Sequence, residues 1–303
     1  MPRKYRDFIT LEAFALEELT DLLDLAMTQK ADDGTYRYAQ TLRGKIIGLF
    51  FEKPSLRTRL SFEVAVYQLG GQCVYMGPDA GALGSREAIR DQARVTARYL
   101  DAVVLRTMRH ETVLEFARHS EKPVINGLSD EFHPCQALGD LMTMREKLGR
   151  LAGVKIAYVG DANNVCRSLA QAATKCGMDL AVASPEKYGL GEAFLKSLGD
   201  GARVAQFSDA AKAVADADVI YTDVWTSMGQ ESEAEARQKA FRPFQVNQEL
   251  ADLAPKAIIM HCLPAHRGEE ITDQVLDGPR SVIYDQAENR LHVQRALFCR
   301  LLG

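Results

Sequence analysis

A short segment at residues 51–59, Phe-Glu-Lys-Pro-Ser-Leu-Arg-Thr-Arg, combines hydroxyl and guanidinium side chains in a pattern that suits anion chemistry. It follows an apolar, strand-like run at 45–51 and leads into an amphipathic helical pattern. Ser55, Arg57 and Thr58 are therefore expected where free backbone N–H groups and the positive end of a helix dipole converge. Arginine adds planar, paired donors that suit phosphate. The segment alone is equally compatible with a helix start capped by Ser55 or Thr58, with solvated arginines.

Further polar residues follow other predicted strands, at the point where each strand ends. They are Arg106 after the run at 102–105, His133 and Gln136 after 123–126, Asn164 after 154–159, Asp223 and Ser227 after 219–221, and Cys262 and Leu263 after 257–260. Ligands of open parallel sheets bind beyond the carboxyl ends of the strands, so these residues predict a binding crevice. The cations and neutral donors of the first half suit a phosphate joined to a carbonyl. Asn164, Asp223 and Ser227 suit the ammonium and carboxylate groups of an amino acid.

The order of elements predicts the fold class. Strand-like runs alternate with helical patterns along the whole chain, which is typical of α/β proteins with parallel sheets covered on both faces. We predict two domains, 1–148 and 149–303, each a parallel sheet flanked by helices, with the active site in the cleft between them. A final helix at about 285–303 is expected to dock back on the first domain. The pattern also predicts a first helix at 10–30 with Thr10 as its N-cap, and a last strand at 281–284.

Composition excludes several classes of function. The net charge of −4 argues against a nucleic-acid partner, which requires a dominating basic surface. No apolar run approaches the roughly 18 to 20 residues of a membrane span. The six cysteines have no paired spacing, so we predict reduced thiols, no metal site and a cytoplasmic protein. The loop at 160–164 lacks the glycine spacing of a dinucleotide-binding turn, which argues against NAD.

Two charged stretches are interpreted as solvated surface. Arginines recur every four residues at 86, 90, 94 and 98, but Glu87 and Asp91 are interleaved with them, which favours an exposed helix face over a nucleic-acid stripe. The glutamate-rich stretch at 230–239 is predicted to be an exposed loop and helix.

Taken together, these residues resemble the transcarbamylases, and most closely the ornithine carbamoyltransferases, over nearly the whole chain. The Ser-x-Arg-Thr-Arg segment at 55–59 and the His-Pro-x-Gln segment at 133–136 are typical of transcarbamylases in general. The segments Asp-Val-Trp-Thr-Ser-Met-Gly at 223–229 and His-Cys-Leu-Pro at 261–264 indicate the ornithine branch. The resemblance implies two α/β domains, a homotrimer with active sites at subunit interfaces, and neither a metal nor an organic cofactor.

The resemblance also implies roles for individual residues toward carbamoyl phosphate. Ser55, Leu56 through its backbone, Arg57 and Thr58 would hold the phosphate. Arg106 and His133, with Thr58, would polarise the carbamoyl carbonyl. The remaining implied contacts of carbamoyl phosphate are with Gln136, the backbone oxygen of Leu263, Cys262 and Arg290.

For ornithine, the resemblance implies contacts with Asn164, Asp223, Ser227 and Met228. Cys262 would lie near the side-chain amine; the alternative is a small buried apolar residue, the commoner fate of a free cysteine. The expected reaction is attack by the δ-amine of L-ornithine on the carbamoyl carbon, which gives L-citrulline and phosphate. The amine has an ordinary pKa of about 10.4 and must first lose a proton. Either Asp223 or Cys262 could accept it.

The sequence departs from the family at two positions. Leu56 replaces a threonine, so one hydroxyl is absent from the phosphate segment. Ala82 stands where relatives commonly carry a glutamine or histidine that reaches the carbamoyl phosphate of the neighbouring subunit, and Ser85 or Arg86 could replace that contact. Two alternative functions remain: a sister transcarbamylase that acts on a modified ornithine, putrescine or another amine, and a non-catalytic binder of phosphorylated metabolites.

Overall fold

A computed structural model describes residues 6–31, 38–80, 82–227 and 229–303. The chain divides into two compact units, one formed by Met1–Met142 with Glu288–Gly303 and the other by Thr143–Ala287. The division falls inside the helix at whose end we predicted the domain boundary, six residues before the predicted end of the first domain at 148. The last residues of the chain belong to the first unit.

The first unit contains a four-stranded sheet in the order β2-β1-β3-β4, with every neighbouring pair parallel. Its strands are β1 (Ile46–Phe51), β2 (Gln72–Met76), β3 (Ala102–Arg106) and β4 (Val124–Leu128). Its helices are α1 (Leu16–Ala31), α2 (Leu56–Gln68), α3 (Ile89–Thr96), α4 (His110–His119) and the first part of α5 (Pro134–Leu148). The strand order reverses at β1, because β2 and β3 lie on opposite sides of it. In open parallel sheets such a switch point is where ligands bind.

The hydrophobic pattern explains the layering of this sheet. Strand β3 is buried along its full length, as expected for a central parallel strand covered on both faces. A cluster that includes Leu105, Val113 and Phe116 packs α4 against the sheet. The edge strand β2 is only partly buried.

The C-terminal helix completes the first unit. This helix is α12 (Ile283–Leu302), and its residues from Glu288 onward pack with the first unit. The rings of Phe62 on α2 and Phe298 meet edge to face with 5.9 Å between centroids. Arg295 donates to the backbone oxygen of Gln29 on α1 at 2.7 Å. The ring contact links α2, which carries predicted phosphate ligands, to the helix of Arg290, and the bond to Gln29 links that helix to α1.

The second unit contains a five-stranded parallel sheet in the order β7-β6-β5-β8-β9. Its strands are β5 (Lys155–Val159), β6 (Asp179–Ala183), β7 (Val204–Phe207), β8 (Val219–Thr222) and β9 (Ile258–His261). The remaining helices, in chain order, are α6 (Asn164–Cys176), α7 (Glu192–Ser197), α8 (Ala210–Val214), α9 (Ala234–Phe241), α10 (Gln248–Asp252), α11 (Asp273–Leu276) and α12 (Ile283–Leu302). This sheet reverses its order at β5, between β6 and β8. The loops after β5 and β8 are therefore the expected ligand-binding positions.

One predicted helix begins later than expected, and one predicted strand is wrong. The predicted helix at 10–30 begins only at Leu16, and Thr10 instead precedes a single 3₁₀ turn at Leu11–Ala13 without forming a side-chain cap. The predicted strand at 281–284 is a single bridge between Ser281 and Ile259, after which α12 begins at Ile283. None of the helices in the described part of the chain combines the length and apolarity needed to cross a membrane.

Replacement of Phe62 by alanine should strongly destabilise the protein, because the ring is fully buried between α2 and the C-terminal helix. Loss of a buried phenylalanine ring costs about 3–5 kcal/mol. The free energy of unfolding, measured by urea titration, should fall by that amount in Phe62→Ala. Leu16→Ala, at a half-exposed position of α1, should change it by less than about 1 kcal/mol. Equal losses in the two variants would contradict this packing.

Candidate active site

The start of α2 offers free donors to an anion. Ser55 occupies the N-cap position with extended backbone, but its hydroxyl makes no capping hydrogen bond. The first turn carries no acidic side chain. The orphan N–H groups and the dipole of this helix are therefore uncompensated by the residues around them. The side chain of Leu56 is 70% exposed, so only its backbone is placed to contribute.

The two arginines of this segment behave differently. Arg59 pairs with Glu63 one turn later at 2.9 Å and stacks over the ring of Tyr75, so its guanidinium is held by the residues around it. Arg57 is exposed and forms no ion pair with any described residue. Arg57 is thus the guanidinium of this segment that remains available to a ligand.

Arg106 ends the central strand of the same sheet and is buried. The register between β3 and β4 shifts at this residue, so that Arg106 lies opposite Leu128. Its backbone oxygen accepts a hydrogen bond from the N–H of Glu52 at 2.8 Å. Burial, followed by repulsion from Arg290 and Arg57, lowers the pKa of Arg106 to about 10. Among the described residues, Arg106 has no carboxylate partner and its buried Nε–H has no acceptor.

Arg290 of α12 joins this positive group. Its guanidinium donates to Oε1 of Gln136 at 2.6 Å and to the hydroxyl of Thr58 at 3.4 Å. Gly139 permits this position, because a Cβ there would lie 3.2 Å from Cδ of Arg290. The amide orientation of Gln136 is set by its second bond, in which Nε2 donates to Asp140 at 2.9 Å.

His133 lies beside these arginines as a neutral ring. Nε2 of His133 is 3.5 Å from the guanidinium of Arg290. Burial, followed by repulsion from Arg290 and Arg106, holds the pKa of His133 well below its usual value of 6.5. At neutral pH its imidazole therefore acts through hydrogen bonds and not through charge.

In the second unit, Asp223 follows β8 and is held by three donors. Its Oδ1 accepts from the backbone N–H of Val224 at 2.8 Å and from the thiol of Cys262 at 2.9 Å. Its Oδ2 accepts from the side-chain amide of Asn163 at 2.7 Å. Asp223 is buried, so these bonds replace the water that a carboxylate would otherwise bind.

The segment after β9 is fixed by a buried histidine and glutamate. Nε2 of His261 bonds to Oε1 of Glu270 at 2.9 Å, and Nδ1 accepts from the N–H of Leu263 at 2.9 Å. Leu263 has a φ of +58°, a conformation that costs a branched residue energy. The surrounding bonds hold this strained backbone, in which the Leu263 carbonyl is a predicted ligand.

The other predicted residues on the amino-acid side are only partly defined. Asn164 begins α6 and is half-buried. The backbone N–H of Ser227 is held by Oε1 of Gln230 at 3.1 Å. Met228 lies outside the described residues.

Sequence comparisons identify the family. Residues 6–146 match the family model "Aspartate/ornithine carbamoyltransferase, carbamoyl-P binding domain", and residues 152–301 match "Aspartate/ornithine carbamoyltransferase, Asp/Orn binding domain". The chain belongs to the aspartate/ornithine carbamoyltransferase family. The resemblance inferred from the motifs is thereby confirmed, as is the fold class of two α/β domains with parallel sheets.

Individual relatives agree with this family assignment. The chain is 50% identical to the ornithine carbamoyltransferase of Pyrococcus abyssi, over 99% of this chain and 96% of that protein. The solved structure of ornithine carbamoyltransferase from Pyrococcus furiosus has 49% identity and a TM-score of 0.95, over 98% of this chain and 97% of that one. The structure from Thermus thermophilus has 43% identity and a TM-score of 0.90 and covers both chains fully.

Within this carbamoyltransferase fold, the predicted residues form two groups. The group in the first unit contains Ser55, Thr58, Arg57, Arg106, His133, Gln136 and Arg290. In the second unit, Asp223 and Cys262 are in direct contact, and Leu263 follows them. Their roles toward substrates remain predictions.

Sequence reasoning missed two residues of the second group. Asn163 contacts Asp223 directly, whereas only its neighbour Asn164 was predicted. Arg237 lies in the stretch predicted as an exposed loop and helix, but its side chain is buried and pairs with Asp161 at 2.9 Å. The same guanidinium donates to the backbone oxygen of Trp225 at 2.9 Å and so ties the segment before Ser227 to the loop after β5. A lone arginine at helical spacing from apolar residues gave no signal of this role.

Two sets of side chains are close enough to be considered as metal ligands. The donor atoms of Asp223, His261 and Cys262 lie within 4.8 Å of one another, but both ring nitrogens of His261 are already engaged. The second set contains His266, Glu269 and Glu270, on the loop after β9. Glu270 Oε1 in this second set already accepts two hydrogen bonds, from His261 and from the backbone N–H of His266.

The pKa of His133 predicts a pH dependence of stability. The folded protein holds this ring neutral, whereas the unfolded chain binds a proton near pH 6.5. Protonation therefore favours the unfolded chain, and the free energy of unfolding falls as the pH decreases below 6.5. Below that pH, the free energy of unfolding of the wild type should decline relative to His133→Asn by about 1.4 kcal/mol per pH unit. Urea titrations of both proteins between pH 5 and 8 test this. Parallel curves would show that His133 takes up a proton in the folded protein as well.

Proposed function

We propose that the protein is an ornithine carbamoyltransferase, which transfers the carbamoyl group of carbamoyl phosphate to the δ-amine of L-ornithine and yields L-citrulline and phosphate. One observation carries this proposal: buried Arg106 and Arg290 surround neutral His133, and neither Arg57 nor Arg106 has a carboxylate partner among the described residues. Uncompensated buried cations are costly unless a ligand supplies the opposite charge. A doubly charged acyl phosphate meets that requirement.

The first unit supplies donors for each part of carbamoyl phosphate. The backbone N–H groups at the start of α2, with Ser55 and Arg57, hold the phosphate. Arg106 and His133 donate to the carbamoyl oxygen, where negative charge develops in the transition state. Gln136 has its amide nitrogen committed to Asp140, so its oxygen is the atom that receives the N–H of the carbamoyl amide.

The second unit supplies a carboxylate that accepts hydrogen bonds from the amine substrate. Asp223 presents a carboxylate whose orientation is fixed by three donors, and Cys262 lies in direct contact with it. Asn164, Ser227 and Met228 complete the recognition of the amino-acid groups. Deprotonation of the δ-amine frees the lone pair that attacks the carbamoyl carbon; the C–O bond to phosphate then breaks and phosphate leaves.

Loss of Arg106 should be severe, while loss of a nearby exposed arginine should not. Charge-assisted hydrogen bonds contribute about 1.5–3 kcal/mol each, so Arg106→Met should lower kcat/KM for carbamoyl phosphate by about 10²-fold or more. Arg109→Met is the matched control, since Arg109 is exposed three residues later and pairs only with Glu111. Citrulline formation, followed colorimetrically with both substrates varied, measures both effects.

The same assay separates the alternative functions. L-ornithine should have the highest kcat/KM in a panel that includes putrescine and N-substituted ornithines. A clear preference for another amine would identify a sister transcarbamylase. Tight binding of carbamoyl phosphate in calorimetry without turnover of any amine would identify a non-catalytic binder.

We further propose a homotrimer with active sites at subunit interfaces. One face of α2 carries three exposed apolar side chains, Leu56, Leu60 and Tyr67. Glu63 lies between them and is paired with Arg59, and Val74 of edge strand β2 is exposed beside this helix. An apolar stripe of this kind on a folded monomer marks an association surface. In the loop near Ala82, the hydroxyl of Ser85 already donates to the Ala82 oxygen at 2.6 Å. Arg86, which is exposed, is therefore the better replacement for the missing contact to a neighbouring subunit.

The stripe on α2 predicts the effect of a charge on assembly. Leu60→Glu should shift the protein from three times the chain mass to a single chain mass in light scattering, because a carboxylate cannot be buried unpaired in an apolar interface. Leu253→Glu, at an equally exposed leucine of the second unit, should remain a trimer. Dissociation of both variants, or of neither, would contradict this interface.

The biological setting follows from the same proposal. The relative from Pyrococcus furiosus carries the name "Ornithine carbamoyltransferase, anabolic" at 49% identity. We assign this chain to arginine biosynthesis in the cytoplasm. Support for the compartment comes from the cysteines, all six of which are free thiols.

A further inference from the structure

Asn163 uses the two ends of its side-chain amide for two different tasks. It is the N-cap of α6, and its Oδ1 accepts from the backbone N–H groups of Val165 at 2.9 Å and Cys166 at 3.3 Å. The hydroxyl of Tyr158 donates to the same oxygen at 3.3 Å. Because three donors converge on Oδ1, the amide nitrogen must point the other way, and the orientation of the group is unambiguous.

The amide nitrogen of Asn163 points to Asp223. Nδ2 donates to Oδ2 of Asp223 at 2.7 Å, while Oδ1 of Asp223 accepts from Val224 and Cys262. Among the residues that the structure describes, no other residue outside the segments of Asp223 and Cys262 hydrogen-bonds to this carboxylate. It therefore connects the helix start after β5 to the acid after β8, across neighbouring strands of the sheet.

Helix capping alone does not explain the amide. Asp209 and Asn247 cap α8 and α10 in the same unit, and each accepts a single backbone hydrogen bond. Aspartate and serine cap helices about as well as asparagine. Aspartate at 163 would place a second carboxylate against Asp223, and serine is too short to span both partners. Asparagine is the cap whose acceptor and donor lie on separate atoms of one rigid plane.

We propose that Asn163 is a positioning residue that fixes the orientation of Asp223 for the amine substrate. The proposal rests on the function assigned above, in which Asp223 recognises ornithine. By donating to Oδ2, Asn163 holds the Asp223 carboxylate in one rotamer. The rigid start of α6 thereby sets the position of the carboxylate.

Several titratable groups face Asp223 and bear on any pH dependence. They are Tyr158, Asp161, Cys166, His261 and Cys262. Asp161 is the other carboxylate of this set and pairs with Arg237. Since all five groups are unchanged in a variant at position 163, a difference between variant and wild type reports on Asp223 and the new side chain.

The decisive variant is Asn163→Asp, which keeps the cap oxygen and replaces the donor by a like charge. The acidic limb of the profile of kcat/KM for ornithine against pH should move upward by at least one pH unit, because two adjacent carboxylates share a proton. KM for carbamoyl phosphate should change by less than about twofold. Asn247→Asp makes the same chemical change at another helix cap of this unit and should leave the profile in place.

A second variant removes the donor without adding charge. Asn163→Ser retains a good N-cap and should raise KM for ornithine roughly tenfold to a hundredfold, the effect of losing one charge-assisted hydrogen bond. The melting temperatures of Asn163→Ser and Asn163→Asp should stay within a few degrees of wild type. If both variants lower the melting temperature while KM and the pH profile are unchanged, Asn163 is only a cap and the proposal is wrong.

A measurement without turnover separates this inference from the proposed function. Alkylation of Cys262 by iodoacetamide at pH 8, followed by peptide mass spectrometry with added glutathione as the reference thiol, should be several-fold slower in Asn163→Asp, because the added negative charge disfavours the thiolate. Wild type that forms no citrulline, with this slowing present, would overturn the assigned reaction but keep the geometry. Citrulline formation by wild type, with equal alkylation rates and superimposable profiles, would overturn the role of Asn163.

Discussion

The first unit is organised around a buried guanidinium, that of Arg106, which has no carboxylate partner among the residues that the structure describes. Arg106 and Arg290 are both about nine-tenths or more buried, and each lowers the pKa of His133 beside them. Desolvation and mutual repulsion make this arrangement unfavourable on its own. It persists because each cation is fixed by other means: Arg106 by the register shift at the end of β3, and Arg290 by Gln136 and by the close approach that Gly139 permits. A charge held in place before the ligand arrives needs no reorganisation when an oxyanion develops, which is the condition for electrostatic catalysis. The arrangement lowers the stability of the free protein, and that free energy can instead favour binding of the transition state over binding of the substrate.

Local patterns predicted most of the fold. Short β-branched runs separated by helical periodicity identified all nine strands and the parallel character of both sheets, because buried parallel strands are apolar on both faces. The error at 281–284 has a physical cause: Val282 and Ile283 are β-branched, but pairing with β9 stops after a single bridge between Ser281 and Ile259. A long helix begins at Ile283 instead. At the N-terminus, Thr10 has the chemistry of a cap, yet the chain makes a 3₁₀ turn first and helix α1 starts six residues later. Neither outcome is visible without tertiary contacts.

The residues of the candidate site could be predicted where they lie at or just after the ends of strands. Arg106 ends β3 and Asp223 directly follows β8, while Ser55 and His133 lie in the loops after β1 and β4. Sheet topology then groups such residues in each unit. Arg290 follows no strand and lies 154 residues from its partner Gln136, so only the family resemblance indicated it. The sequence analysis did not identify Asn163 and Arg237, for a different reason. Their importance lies in what they bond, Asp223 and Asp161, and a polar residue at a helix start or in a charged stretch has a simpler local explanation.

Helix α2 carries two functions that constrain each other. Its N-terminus presents Ser55, Arg57 and free N–H groups, while one face of the same helix presents Leu56, Leu60 and Tyr67 to solvent. A helix moves as a rigid body over a few turns, so contacts made by that apolar face would also fix the direction of its dipole. In the proposed trimer, burial of the stripe would therefore stabilise the phosphate-binding geometry as well as the assembly. The same proposal would explain Leu56 in place of a hydroxyl residue, because its outward side chain would pack in the interface while its backbone N–H would serve the anion.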